Sequence, residues 1–367
     1  MKVWQTLLLS LGAVVVLAAI VVVPEWHLPV KGHELGWRAS SMVQFDLPPA
    51  EAALLKRPPA AIPSWSHDPR PADVAYKNVQ VLTNVDAGEL MHTMAAMTQW
   101  VSPKQGCSFC HAGADYASDA KPTKAVARLM LHMTRHINAD WRDHVGAAGV
   151  TCFSCHQGQP IPSDVWFRSP PVRQHPMIDW QEDYHEDELT VRKFFPDEGY
   201  EEYLLQSTPG IAQSYTALPT HSGSSQIVVK RLYEVMMQMS DGIGVNCGFC
   251  HNSRAFFDWR QSTPARWTGY SGIQMTRDLN RNFLIKTGAI LPQDRFRLDK
   301  AHEWNLAPNE AGAMPGNGLS NCATCHHGEP KPLGGANMVD AYPALIGPQP
   351  TSPGKVAQAT TPVAASR

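Results

Sequence analysis

Every thiol in the chain belongs to one repeated pattern: the eight cysteines fall into four copies of C-x-x-C-H. The copies are Cys107-Ser-Phe-Cys110-His111, Cys152-Phe-Ser-Cys155-His156, Cys247-Gly-Phe-Cys250-His251 and Cys322-Ala-Thr-Cys325-His326. Two thiols three residues apart, followed at once by an imidazole, form the arrangement that attaches a c-type haem. The thiols become thioethers on the vinyl groups, and the histidine becomes an axial ligand of the iron. Zinc would pair two C-x-x-C units and need no histidine after each. A redox dithiol or a disulfide set would not need it either. The four copies therefore predict four covalently bound haem c groups, with His111, His156, His251 and His326 as proximal ligands.

An iron whose ligands stay fixed on reduction transfers electrons with little reorganisation, so each haem needs a distal ligand, usually Met or His. The chain has 14 Met. A helix starting near Asp86, with Glu89 placed for a capping box, puts Leu90, Met94 and Met97 on one face. Either methionine fits the first haem. Val229, Leu232, Met236 and Met239 make a similar face before the third motif. A second helix, from about Thr123 to Trp141, has Val126, Met130, Met133, Ile137 and Trp141 on its apolar side.

These elements come in two sets. Met94 and Met97 before the first motif mirror Met236 and Met239 before the third. Met133-Thr-Arg-His-Ile-Asn138 matches Met275-Thr-Arg-Asp-Leu-Asn280. Cys152-Phe-Ser-Cys-His-Gln-Gly-Gln-Pro160 matches Cys322-Ala-Thr-Cys-His-His-Gly-Glu-Pro330. Each half thus reads Met helix, haem motif, M-T-R helix, haem motif. The expected fold is mainly α with much irregular loop, built from two pseudo-twofold-related haem-pair modules. The register of Met130 holds Gly272 in the second half, so the fourth haem lacks its methionine and His144 is the candidate ligand. Were the helix to continue, His144 would lie about 21 Å beyond Met130. The two cannot serve one iron but can serve two haems flanking one helix. Arg135 and Arg277 fit as propionate partners.

The expected organisation is an anchor or signal segment at 1–23, an extended arm at 24–75, a first haem-pair module at 76–162 and a linker at 163–225. A second module at 226–347 and a disordered tail at 348–367 follow. Val3 to Val23 carry no charge. Some 18 to 20 residues at about 1.5 Å each span roughly 30 Å, enough for a bilayer core. No small-x-small cleavage site is well formed, which favours an uncleaved helix over a signal peptide. Either way the chain is exported. A formal charge of -2 without a basic stripe gives no reason to expect nucleic acid. The acidic stretch Gln181–Glu188 reads as a solvated loop or a docking patch for a basic partner.

Four segments resemble the tetrahaem cytochrome subunit of purple-bacterial photosynthetic reaction centres. They are Thr93 through Cys107, Ala127 through Asn138, Gly149 through His156, and Cys247 through Asn252. The resemblance covers roughly 75 to 347, and more loosely Gly32-His-Glu-Leu-Gly-Trp-Arg and Met42. It implies Met94, Met130 and Met236 as distal ligands of haems one, two and three, and His144 for haem four. It implies an electron carrier, not an enzyme, on the periplasmic face of the photosynthetic membrane, bound to the L and M subunits. Haem three would re-reduce the bacteriochlorophyll special pair, with haems four, two and one behind it. Haem one would face a soluble donor, a cytochrome c or a high-potential iron-sulfur protein. The departure lies at the N-terminus, where many relatives carry a lipid-modified cysteine and this chain has a hydrophobic segment. Two other readings remain: a multihaem reductase, which needs an open iron, and a general periplasmic carrier.

Overall fold

The computed structural model describes residues 3–26, 32–34, 43–45, 57–63, 67–166, 198–208, 210, 226–291 and 318–347. Among these the chain is mainly helical. Strand is limited to β1 (Gly32–Glu34) and β2 (Val43–Phe45), antiparallel, with Gly32 opposite Phe45. The acidic stretch at 181–188, the tail at 348–367 and most of the arm and linker lie outside the described residues.

Two compact units make up the chain, one of residues 1–55 and 245–263, the other of residues 56–244 and 264–367. The first contains helix α1 (Val3–Trp26), the β1–β2 pair and the third haem motif. The second contains the other three motifs and the helices around them. These are α2 (Ala87–Val101), α3 (Pro122–Asp140), α4 (Arg142–Val145), α5 (Cys152–His156), α6 (Gln226–Ile243), α7 (Pro264–Asn282) and α8 (Cys322–His326).

The described side chains of α1 are Val3 to Gln5, Leu8 and Ser10 to Ala19, all exposed. Among the described residues no helix is long and apolar enough to cross a membrane.

Three apolar clusters hold the second unit. Leu90, Ala96 and Trp100 of α2 bury against Leu131, Phe153, Tyr342 and Leu345. Val235 of α6 buries against Trp166, Tyr203, Leu204, Leu205 and Leu319, with Met236 and Ile273 packed alongside. A third cluster joins α3 to α7 through Met133, Ile137 and Trp141 on one side and Met275, Leu279 and Phe283 on the other. Those are three register-equivalent pairs of the repeat.

Two local expectations change. Asp86 is the N-cap of α2 but makes no side-chain cap bond. Glu89 accepts from the Ala344 N–H instead (3.4 Å), so the capping box does not form. Helix α3 stops at Asp140 because Trp141 leaves helical geometry (φ -111°, ψ 30°). His144 therefore lies on the separate turn α4 and not on a continuation of α3.

Candidate functional site

The first and third motifs share one local design. Each begins on a single 3-10 turn, Gly106–Phe109 and Cys247–Phe249. His111 Nδ1 bonds the Tyr116 carbonyl (3.1 Å) and His251 Nδ1 the Phe256 carbonyl (3.0 Å), five residues on in both cases. The ring of that fifth residue lies against the imidazole, 5.0 Å away for Tyr116 and 4.3 Å for Phe256. Thr123 donates to the Phe109 carbonyl (2.6 Å) and Thr263 to the Phe249 carbonyl (2.5 Å). Buried Lys124 holds the first loop closed by donating to the carbonyls of Tyr116, Ala117 and Ser118. Three carbonyls and the Asp119 carboxylate 3.1 Å away offset the desolvation of its charge.

The second and fourth motifs are single α-turns opened by capping boxes, Thr151 with Ser154 and Asn321 with Thr324. His156 Nδ1 bonds the Gln159 carbonyl and His326 Nδ1 the Glu329 carbonyl, both at 2.8 Å and three residues on. The chain can double back so soon because Gln157 and His327 take the left-handed conformation (φ 46° and 49°). The glycine that follows then ties each motif to the Met helix of its own half. Gly158 N–H donates to the Trp100 carbonyl (2.7 Å) and Gly328 N–H to the Gly242 carbonyl (2.8 Å).

The M-T-R helices act as the frame. Thr134 and Thr276 bond back to the carbonyls four residues earlier, Met130 and Gly272. Asn138 Nδ2 donates to the carbonyls of Val150 and Leu345, and its Oδ1 accepts the Val150 N–H. Asn280 does the same with Ser320 and Leu204. Arg135 donates to the Ala344 carbonyl (3.2 Å) and Arg277 to the Tyr203 carbonyl (3.0 Å). So both arginines, read from sequence as propionate partners, grip backbone. The segment after the fourth motif straps α3, and the segment after the second motif straps α7. Asn138 and Asn280 stood in the repeated stretch, yet their bond to the residue two before each cysteine needed coordinates to be seen.

On the distal side, Met94 and Met97 are half-buried against the α2 cluster, Met130 is half-buried on α3, and Met236 packs with the α6 cluster. Met236 belongs to the second unit and His251 to the first. The structure does not choose between Met94 and Met97. His144 is more informative. Its ring lies over Gly272, so close that a Cβ added there would be 2.6 Å from Cε1. Its Nδ1 bonds the Thr268 carbonyl (3.0 Å), and its ring centroid is 6.0 Å from that of His326. Two imidazoles bound to one metal from opposite faces have centroids about 6 Å apart, given metal–N bonds of about 2.0–2.1 Å.

The residues fit haem on several independent counts. All four proximal histidines and His144 engage a backbone carbonyl through Nδ1, which fixes the tautomer and leaves the Nε2 lone pair for a metal. Burial lowers His144 and His156 and pushes His326 down to about 4, keeping these rings neutral. Burial also raises Cys110 to about 11 and Cys152 and Cys322 to about 12. Thiols so protonated have no use as exposed redox nucleophiles. Among the buried polar atoms without a partner in the described residues are Thr93 Oγ1 and His327 Nε2, which adjoin Met94 and His326 in sequence, and the Tyr203 hydroxyl in the cluster with Met236. Cys155 and Cys325 meet as a disulfide, with Cα atoms 4.5 Å apart. A thioether uses the same sulfur, so haem attachment at either residue requires that bond to be open. No group of three or more His, Cys, Asp or Glu placed to hold a free metal ion occurs among the described residues.

Comparison with known proteins agrees with this chemistry. Residues 27–346 match the family model described as photosynthetic reaction centre cytochrome C subunit. A photosynthetic reaction center cytochrome c subunit from Rubrivivax gelatinosus is 34% identical over 322 residues, covering 86% of this chain and 84% of the relative. One from Thermochromatium tepidum is 32% identical over 339 residues, covering 92% and 80%. One from Roseobacter denitrificans is 34% identical over 289 residues, covering 74% and 72%.

Proposed function

This chain belongs to the family of photosynthetic reaction centre cytochrome c subunits, and from that premise we propose that it carries four covalent haems and re-reduces the photo-oxidised special pair. Its role in photosynthetic electron transfer comes with the family, as does covalently bound haem c. The count of four rests on the four motifs and their matched local bonds. Bound haem supplies the one-electron couple.

The residues divide the work as follows. Cys107, Cys110, Cys152, Cys155, Cys247, Cys250, Cys322 and Cys325 form the thioethers. His111, His156, His251 and His326 ligate iron on one side, each turned by its carbonyl bond. Met94, Met130, Met236 and His144 complete the sets for haems one to four. With these residues holding it from both sides, each iron would have no open position for substrate, which favours a carrier over a reductase. The observation that carries this reading is the close pair His144 and His326, ring centroids 6.0 Å apart beside Gly272, because that spacing suits two imidazoles on one iron.

Two haem-pair modules related by a pseudo-twofold axis account for the repeated bonds in the second unit. Equivalent residues that touch must lie near such an axis, and both Cys155–Cys325 and His136–Asp278 do so. The attachment points of haems two and four are then neighbours. That supports the order one, two, four, three, with a soluble periplasmic donor, a cytochrome c or high-potential iron-sulfur protein, at the first haem and the L and M subunits at the third. Anchoring by the N-terminal helix is part of the same reading. Leu11 and the consecutive run Val14 to Leu17 are exposed on all sides of α1, and a helix apolar all round needs a covering such as lipid.

The test is flash spectroscopy on membranes containing the protein. A haem should be oxidised on a sub-millisecond timescale as the special pair recovers, and a pyridine haemochrome assay should give four haems per chain. Pigment recovery without any haem oxidation would leave a general periplasmic carrier as the better reading.

A further inference from the structure

The two straps differ in the side chain at the residue each arginine grips. By the bonds from Arg135 and Arg277, Ala344 and Tyr203 occupy the same place. Both are buried, Tyr203 with 4% of its surface exposed. Ala344 brings no polar group. Tyr203 brings a hydroxyl that has no hydrogen-bond partner among the described residues. The first half has its own buried tyrosine, Tyr342, but there the hydroxyl accepts the Ile62 N–H at 3.0 Å. Removing a phenol from water without a partner costs about 1–3 kcal/mol.

The neighbouring Glu202 carboxylate, whose Oε2 is also buried without a partner, makes no hydrogen bond to the hydroxyl, and a bridging water would need two to four polar partners. The cluster around Tyr203 is Trp166, Tyr200, Leu204, Leu205, Val235 and Leu319, with Met236 packed against it. The Trp166 N–H is already given to the Ser320 carbonyl. What the cluster does border is Met236, the distal ligand read for haem three. A haem adds two carboxylates at one edge, and a carboxylate is the acceptor that best matches a buried O–H donor. The Arg277 guanidinium, bonded to the carbonyl of Tyr203 itself, places a positive charge at the same residue.

We propose that Tyr203 is a haem-binding residue whose hydroxyl donates a hydrogen bond to a propionate of the haem ligated by Met236. Burial first, and then the neighbouring Glu202 carboxylate, raise the phenol above its ordinary range, so it stays protonated and a donor. The bond draws negative charge away from the propionate. That favours the ferrous state and holds the haem's potential up. The inference rests on the reading of Met236 as a ligand.

The experiment is a spectroelectrochemical titration of the full membrane-bound complex carrying Tyr203→Phe, which keeps the ring and its packing. Four haems should remain, one midpoint should fall, and that midpoint should belong to the haem shifted by Met236→Leu. The melting temperature should fall as well. Four unchanged midpoints would overturn the proposal, as would an equal shift of all four. So would a melting temperature that stays or rises, the result for a hydroxyl that is merely buried without a partner. Fewer than four haems, or a Met236→Leu protein with unaltered spectra, would instead remove the underlying reading.

Discussion

Met130 on α3 and Gly272 on α7 occupy the same place in two copies of one helix. Around them the copies agree closely. Thr134 and Thr276 make the same backward bond, Asn138 and Asn280 clamp the entry to the next motif, and Arg135 and Arg277 grip a strap. At this one position a thioether side chain stands against none. The space left by Gly272 is filled from outside the helix by His144, whose Nδ1 bonds the carbonyl one turn earlier, that of Thr268. On the proposed ligand assignment, a duplicated frame keeps its scaffold and changes an iron ligand by deleting one side chain and borrowing another. Because His donates more strongly to ferric iron than Met does, the proposed ligands would give the two copies different potentials from the same architecture.

The largest expected effect comes from filling that space. In Gly272→Ala the new Cβ would lie 2.6 Å from the His144 ring, so the imidazole must shift from its place. We expect one haem in four to gain a high-spin ferric electron paramagnetic resonance signal, with a stability loss of about 1–3 kcal/mol from overpacking. Four low-spin haems with unaltered midpoints would break the comparison. His144→Met sharpens it by restoring the ligand type of the first half, and should raise one midpoint while the other three hold. A shift at the second haem in its place would mean that His144 serves that iron.

The attachment motifs and both repeated helices were legible in the sequence, because covalent chemistry and helical periodicity are local. So was the missing methionine at Gly272, since register alone exposes it. That His144 would lie against Gly272 was legible only as a candidate. Nothing in the spacing says that α3 breaks at Trp141 and turns His144 toward the other half. The exchange of straps escaped altogether. Ala344 and Tyr203 share no residue type, and what they contribute is a backbone carbonyl that every residue carries. Arg135 and Arg277 were legible as a repeated pair, but the carbonyls that each of them holds were not, for the same reason. Glu89 shows the same limit on a smaller scale. Its spacing from Asp86 suits a cap, yet its carboxylate goes to the strap at Ala344.

An intermediate effect tests whether the frames are energetically equivalent. Asn138→Ala removes two donated bonds and one accepted bond at a buried site, and Asn280→Ala removes the same three and a second accepted bond, from the Ser320 hydroxyl. Each leaves a backbone N–H (Val150 or Ser320) and two carbonyls without these partners. A loss of about 2–4 kcal/mol is expected in either case, read as the denaturation midpoint of the holoprotein, with the haem count unchanged. Costs that differ several-fold between the halves would show that the second frame is held chiefly by something other than its asparagine.

The smallest effect concerns the place where the two copies touch with complementary residues. His136 and Asp278 are register equivalents, and the carboxylate meets His136 Nε2 at 2.5 Å while Asp140 meets Nδ1 at 2.7 Å. Burial by itself would raise Asp278, but hydrogen bonds from His136, Asn282 and Trp141 outweigh it and hold the carboxyl below the usual range. The folded protein then binds fewer protons at this group than the unfolded chain does. Stability from it is fully present above the unfolded value of about 3.9 and is lost as pH falls through the lower folded value. Asp278→Asn should therefore cost about 1 kcal/mol near neutral pH, and the gap to the parent protein should close as the medium is acidified below about pH 4. Paired urea titrations at neutral and acidic pH measure that gap. A gap of constant size across the range would show that the Asp278 charge contributes nothing to the contact, leaving the apolar pairs around Ile137 and Leu279 to hold α3 against α7.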